Sequence, residues 1–307
     1  MKKPELLVTP TSVNDIQPLI DAGADAFVIG EQRYGLRLAG EFLRNDVKKA
    51  IEIAHQHHKK VYVAMNAIFH NDLVEELRDY VNFLYDVKAD AILFGDPAVL
   101  MTVREANVPI ALHWNPETTA TNWFTCNYWG RKGAKRAVLA RELSMEEIIE
   151  IKENAEVEIE VQVHGMTCMF QSKRKLIGNY FAYRGQMMKI EKEQKNFFLF
   201  DKERDNKYPI FEDFNGTHIM SPNDICIIDE LGEMIDAGID SFKIDGIFKS
   251  RDYLTTVTKA YRTAIDSYIE DPRKYEEIKN DLLAEIEAIQ PENRPLDTGF
   301  FFKETVY

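Results

Sequence analysis

Eight short apolar runs alternate with amphipathic stretches, and this rhythm predicts a (β/α)8 TIM-type barrel, a closed parallel sheet inside a ring of helices. Two further observations point the same way. One phrase occurs twice, as Asp21-Ala-Gly-Ala-Asp-Ala-Phe27 and Asp236-Ala-Gly-Ile-Asp-Ser-Phe242, each with Gly where a helix ends before a strand; Lys88-Ala-Asp-Ala-Ile-Leu93 is a weaker third copy. No glycine-rich dinucleotide fingerprint follows the first run, where Pro10-Thr-Ser12 stands instead, so an open doubly wound sheet loses its best support.

In chain order the runs predict strands at Leu6–Thr9, Ala26–Gly30, Val61–Asn66, Ala91–Phe94, Ile110–Trp114, Ala137–Ala140, Val157–His164 and Ser241–Asp245. They are mostly unalternating, as parallel strands buried on both faces should be. Between them, Asp72–Val87 places Leu73, Leu77, Tyr80, Val81 and Leu84 on one helical face. Ser144-Met-Glu-Glu147 reads as a capping box, and Ser221-Pro-Asn-Asp224 as a helix start with Pro at its first position. His55, His57 and His58 read as partners of a helix C-terminus. Asp96, just before Pro97, suits either an N-cap or an acid.

The rhythm breaks between about 166 and 220, a stretch too long for a βα connection, and an insertion is expected there after the seventh strand, as a hairpin layer over the barrel mouth. It carries Lys173, Arg174, Lys175 and Arg184 interleaved with Tyr180, Phe181 and Tyr183, then the polar run Asp201–Lys207. Basic and aromatic residues together suit either an RNA grip or a lid packed on its own rings. After Glu270 a helical pattern continues to about Ile289, followed by an extended aromatic tail over about 290–307. Residues 1–307 thus read as one barrel domain with an insertion.

Composition narrows the function classes. A net charge of −13 makes the chain by itself a poor non-specific binder of nucleic acid. Three cysteines are too few for a disulfide framework, and no leader-like or membrane-spanning apolar run occurs, so a cytoplasmic protein without a membrane partner is expected.

In such a barrel the working face lies at the carboxyl ends of the strands. Candidate catalytic residues there are Glu142, His164 and Asp245; candidate substrate-binding residues are Arg37, Asn66, His113, Asn122, Arg141 and Lys243. Arg37 and Arg141 suit a dicarboxylate, whereas Arg141 and Glu142 could equally be an ion pair holding the rim. No metal site is expected, because neither HExxH nor CxxC spacing exists and only His113, His164 and Glu142 could approach one another. Cys168 and His164 leave the strand through Gly165, so they need not meet as a nucleophilic pair, and no G-x-S-x-G elbow is present.

Glu160-Val-Gln-Val-His-Gly-Met-Thr-Cys168 resembles the signature of the collagenase-like peptidase family, peptidase class U, family 32. The resemblance continues in Gly23–Gly30, Ala140-Arg-Glu-Leu-Ser144, Ser221-Pro-Asn-Asp-Ile-Cys226, Lys243-Ile-Asp-Gly-Ile-Phe-Lys-Ser250 and Asn293-Arg-Pro-Leu-Asp-Thr-Gly-Phe300, in order along nearly the whole chain. It implies either peptidase activity or oxygen-independent hydroxylation of a ubiquinone precursor, a ribosomal RNA cytidine or the wobble uridine of tRNA, the RNA reactions drawing on prephenate. It also implies a [4Fe–4S] cluster on four cysteines, but here the set is incomplete: Cys168 and Cys226 match the first and last ligands, while Lys175 and Met187 stand at the others. No cluster bound by this chain alone is therefore expected. Asp245 and Ile247 stand where many relatives carry Glu and Arg. The chain also resembles short members that pair with a longer one, which makes a tRNA uridine 5-hydroxylation subunit the expected role, with tRNA held by the partner or by the basic insertion. A peptidase and a non-catalytic stabilising subunit are the alternatives.

Overall fold

The computed structural model describes residues 2–188, 190, 192, 197–203 and 205–303; position 204 of the polar run and the last four residues of the tail lie outside the described residues. Seven parallel strands follow one another around a barrel: β1 (Glu5–Val8), β2 (Ala26–Ile29), β3 (Lys60–Met65), β4 (Ala91–Phe94), β5 (Ala111–Trp114), β6 (Ala134–Val138) and β7 (Glu158–Ser172). β11 (Ser241–Ile244) pairs in parallel with both β7 and β1 and so closes the sheet at eight strands. This is the closed parallel barrel that the sequence predicts.

The helices α1 (Ile16–Asp21), α2 (Arg44–Gln56), α3 (Asn71–Asp86), α4 (Pro97–Glu105), α5 (Trp123–Arg131) and α6 (Met145–Asn154) lie between consecutive strands. Their starts follow from local chemistry. Ser144 and Glu147 form the predicted capping box of α6. Asp96 caps α4 by accepting from the Ala98 N–H, and its second oxygen accepts from the Phe69 N–H. α3 buries Leu73, Leu77, Tyr80, Val81 and Leu84, the face read from its spacing. Each such side chain contributes roughly 1.5–3 kcal/mol on leaving water.

Two strand predictions need correction. β6 begins at Ala134 rather than Ala137, because the charged Arg136 points into the barrel and is paired there. β7 does not stop at His164. At Gly165 the backbone takes φ +101, and a Cβ there would lie 2.5 Å from the Asp245 carbonyl oxygen. Only glycine fits this approach, and beyond it β7 runs out of the barrel to Ser172.

The outer half of β7 pairs antiparallel with β10 (Gly216–Cys226), which pairs with β9 (Asn206–Asp213) and through it with β8 (Phe198–Asp201). Ser221-Pro222-Asn223-Asp224 lies within β10 and is not the predicted helix start. The pairing register shifts between Met220 and Asp224, and this bulge tolerates a proline that can donate nothing to a ladder. Ser221 Oγ stitches the bulge by accepting from the Thr167 N–H and donating to the Asn223 carbonyl. α7 (Leu176–Tyr183) precedes β8 and buries none of its side chains, leaving Tyr183 90% exposed.

This extension is anchored to the loop after β2. Asn215 Nδ2 donates to the carbonyls of Gln32 and Gly35, at 2.7 and 3.0 Å, and Lys192 Nζ donates to those of Leu38 and Ala39. Beyond β10, α8 (Gly232–Asp236) leads into β11, and α9 (Arg251–Glu270) follows it. α10 (Pro272–Ile289) then packs on α9, and β12 (Leu296–Asp297) pairs with β10. Leu7, Val28, Ala64 and Leu93 fill the barrel interior, while the larger core lies between strands and helices.

Candidate functional site

Six residues that converge at the barrel mouth come from five different segments. Arg37 stands in the loop after β2, Asn66 follows β3, Glu117 follows β5 and Arg141 follows β6. Lys243 and Asp245 belong to β11 and its end. Together they line a cavity of about 40 Å³, which shares Arg37, Glu117 and Arg141 with an outer cavity of about 180 Å³. Cys168, Glu142, Met169, Phe170 and Phe300 stand around that outer cavity.

Glu117 is the centre of the inner cavity, and sequence reasoning missed it. Arg37 Nη2 and Arg141 Nη1 both donate to its Oε2, the latter at 2.9 Å, and Asn66 Nδ2 donates to Oε1 at 3.0 Å. Burial alone would raise the Glu117 carboxyl, but the Arg37 and Arg141 guanidiniums outweigh it and hold the group well below the usual carboxylate range. The donors are themselves positioned. Arg141 Nε donates to Gln162 Oε1 at 2.9 Å, Arg37 Nη1 to Gln171 Oε1 at 3.0 Å, and Asn66 Oδ1 accepts from the Leu36 N–H. Asn115-Pro-Glu117, directly after the end of β5, is the local signal that could have flagged it.

Asp245 accepts an ion pair from Lys243 at 3.0 Å, and its Oδ1 accepts from the Ile247 N–H. The neighbouring Gly246 N–H donates to Thr9 Oγ1 at 2.6 Å, tying the end of β11 to that of β1. Arg37, Asn66, Arg141, Lys243 and Asp245 are thus brought together as the strand-end reading expects.

The other named residues are not. Glu142 is exposed and reaches only the outer cavity. Asn122 caps α5 by accepting from the Thr125 N–H, and it lines neither cavity. His113 lies deeper in the barrel, edge-on to Tyr62 at 4.6 Å; burial and the Arg136 guanidinium hold its pKa far below the usual value.

His164 faces the other way, against α9. Tyr253 Oη donates to Gln290 Oε1 at 2.6 Å, because Gln290 Nε2 is already donating to Asp224. Its one proton is committed there, so His164 Nε2 carries a proton and donates to Tyr253 Oη at 2.8 Å. Among the described residues Nδ1 has no partner, and burial lowers the ring's pKa to about 3. Asp224 completes this set with Lys249 and Arg294, whose charges hold its carboxyl far below the usual range against burial.

The donor chemistry does not fit a four-thiolate cluster. Cys168 Sγ borders the outer cavity and donates to the Phe170 carbonyl, whereas Cys226 is buried in the core with Sγ 3.7 Å from Tyr261 Oη. Burial pushes the Cys226 thiol up to about 11. Lys175 precedes α7, and Met187 is fully exposed. Among the described residues no group of three or more His, Cys, Asp or Glu is placed to hold a metal ion. No helix there is long and apolar enough to cross a membrane.

The chain is 70% identical over 309 residues to the tRNA hydroxylation protein P2 of Bacillus subtilis, covering 100% of each. It is 33% identical to tRNA hydroxylation protein P1 of the same organism, over 98% of this chain and 71% of that one. An uncharacterised protease of Methanocaldococcus jannaschii is 32% identical, over 98% of this chain and 73% of that one. A monomeric dihydrodipicolinate synthase variant superposes with a TM-score of 0.51 at 9% identity, over 95% of this chain and 83% of that one, a likeness of fold alone. The model of peptidase family U32 matches residues 11–306, and the chain belongs to that family.

Proposed function

We propose that this chain is a subunit of a system that hydroxylates the wobble uridine of tRNA at C5, without molecular oxygen and with prephenate as the linked co-substrate, acting beside a longer family member. The observation that carries the reading is 70% identity, end to end, with a tRNA hydroxylation protein. The coexistence of P1 and P2 in one organism supports a partner, since P1 extends beyond the region that this chain matches.

The inner cavity supports an anionic co-substrate. Three cationic side chains, Arg37, Arg141 and Lys243, face two carboxylates there, and planar guanidiniums suit carboxylate oxygens. In this reading Arg37, Arg141, Asn66 and Lys243 bind and orient, and Asp245 or Glu142 handles a proton. His164 acts behind the wall by holding Tyr253 and the Asp224 set in place. The −13 charge favours tRNA contacts on the partner or on the basic segment around Lys173, Arg174, Lys175 and Arg184. Having no complete thiolate set, this chain carries no cluster of its own, and protein purified without oxygen is expected to be colourless.

Deletion of the gene, followed by mass spectrometry of tRNA nucleosides, tests the role. 5-Hydroxyuridine derivatives should fall, and unchanged levels in a strain without a compensating relative reject it. Kinship to a protease makes peptidase activity the second reading. It requires the purified chain to cleave gelatin and an alanine at Glu142 or His164 to stop it. A non-catalytic stabilising subunit is the third, and it predicts that alanine at Arg141, Glu142 or His164 leaves the nucleoside profile intact.

A further inference from the structure

Glu117 lines the inner cavity and is ringed there by donors. Its oxygens take up the donors that converge on the inner cavity, two guanidiniums on one oxygen and the Asn66 amide on the other. With Glu117 in place the remaining space is about 40 Å³, room for little beyond a water or two. The backbone on both sides of this contact is strained. Glu117 has φ 71 and Arg37 has φ 47, and neither residue is of the short polar kind that tolerates the left-handed region. Each such residue is strained and persists only where its surroundings over-determine it. The two residues are each other's ion-pair partners, with Arg141 and Asn66 also on Glu117, and the loop carrying Arg37 is further held by Asn66, Asn215 and Lys192.

We propose that Glu117 is an exchangeable internal ligand: a small anion bearing carboxylate or phosphate oxygens enters by taking its place on Arg37 and Arg141, and Glu117 selects for anions able to do so. The inference rests on reading the cavity as an anion seat. Ligand affinity is then reduced by the fraction of molecules whose seat Glu117 fills, so a charged, forked ligand succeeds where a neutral one of the same size does not. A purely structural ion pair behaves with the opposite sign, because removing one partner leaves buried guanidiniums unpaired and loosens the site.

That difference in sign is the test. The full chain and its Glu117→Gln variant are titrated by calorimetry with prephenate, succinate and inorganic phosphate. Removal of the competing carboxylate should tighten at least one anion by about 10-fold, and the three arms tell carboxylate from phosphate chemistry. Equal or weaker binding by the variant overturns the proposal, as does binding of none of the three by either protein. Hydrogen exchange on the wild-type chain keeps the proposal testable if the variant does not fold. Saturating anion should slow the amides of residues 36–38 and speed those of 117–119, whereas slowing or no change at 117–119 overturns it. The nucleoside profile is read separately, so loss of 5-hydroxyuridine without anion exchange rejects the inference and leaves the proposed function standing.

Discussion

Two sets of buried charges sit inside this barrel, one at each end, and they are built differently. At the base, Arg136 Nη1 donates to Glu5 at 2.6 Å and to Glu160 at 3.3 Å, while Nε and Nη2 both reach Glu158. Tyr62 Oη adds a bond to Glu5 at 2.7 Å. All these side chains rise from strands of the parallel sheet. Burial pushes the Glu160 carboxyl up, with the Arg136 guanidinium opposing it. At the mouth, Arg37, Glu117 and Arg141 come from the segments that follow strands; two of them have left-handed backbone, and a cavity opens between them. The same guanidinium–carboxylate chemistry is a structural tie where the strands deliver it, and the proposed anion seat where loops with left-handed backbone deliver it.

Breaking the base should produce the largest effect. Arg136→Ala leaves the fully buried Glu160 uncompensated, and a loss of about 3–5 kcal/mol is expected in urea unfolding. A loss below about 1 kcal/mol would erase the contrast between the two ends. At the mouth the expected sign is reversed, with function lost and fold kept. Arg141→Lys retains a positive charge beside Glu117 but not the fork that also holds Gln162, so modification in a complemented deletion strain should fall by about 10-fold while Tm stays within a few degrees.

The behaviour of His164 sharpens the contrast through pH. Its folded pKa of about 3 lies below the unfolded value near 6.5, so the unfolded chain binds the extra proton between those values. The stability it contributes is complete above pH 6.5 and is lost as pH falls toward 3. Between pH 7 and pH 5 this amounts to about 2 kcal/mol, which a His164→Gln variant should no longer show in paired unfolding curves. His113, also depressed by burial, adds a loss of the same sign. The smallest effect belongs to α7, which buries nothing. Tyr183→Ala should change stability by less than about 0.5 kcal/mol, and a weakening of tRNA binding by the assembled system would assign that helix to the RNA grip.

The strands were legible because burial on both faces leaves short continuous apolar runs. Where a strand carries inward charge, as at Arg136, that signal fails and β6 reads three residues late. Pro222 misleads for a similar reason: Pro with a following acid fits a helix start and a strand bulge alike, and only the pairing of β10 with β7 decides between them. At the site, position after a strand was enough to find Arg37, Asn66, Arg141, Lys243 and Asp245. It could not tell that His164 is turned outward, because the register shift beside Lys243 and the turn at Gly165 set which face that side chain takes.

By itself, then, the sequence determined the barrel, its strand order, the Ser144 capping box and the family signature, all of which rest on residues close together in the chain. Which charges meet was decided by tertiary structure alone. Glu117 lies 80 residues from Arg37, 51 from Asn66 and 24 from Arg141. No local pattern can report a contact across such separations, since closing the barrel is what brings those loops to one point.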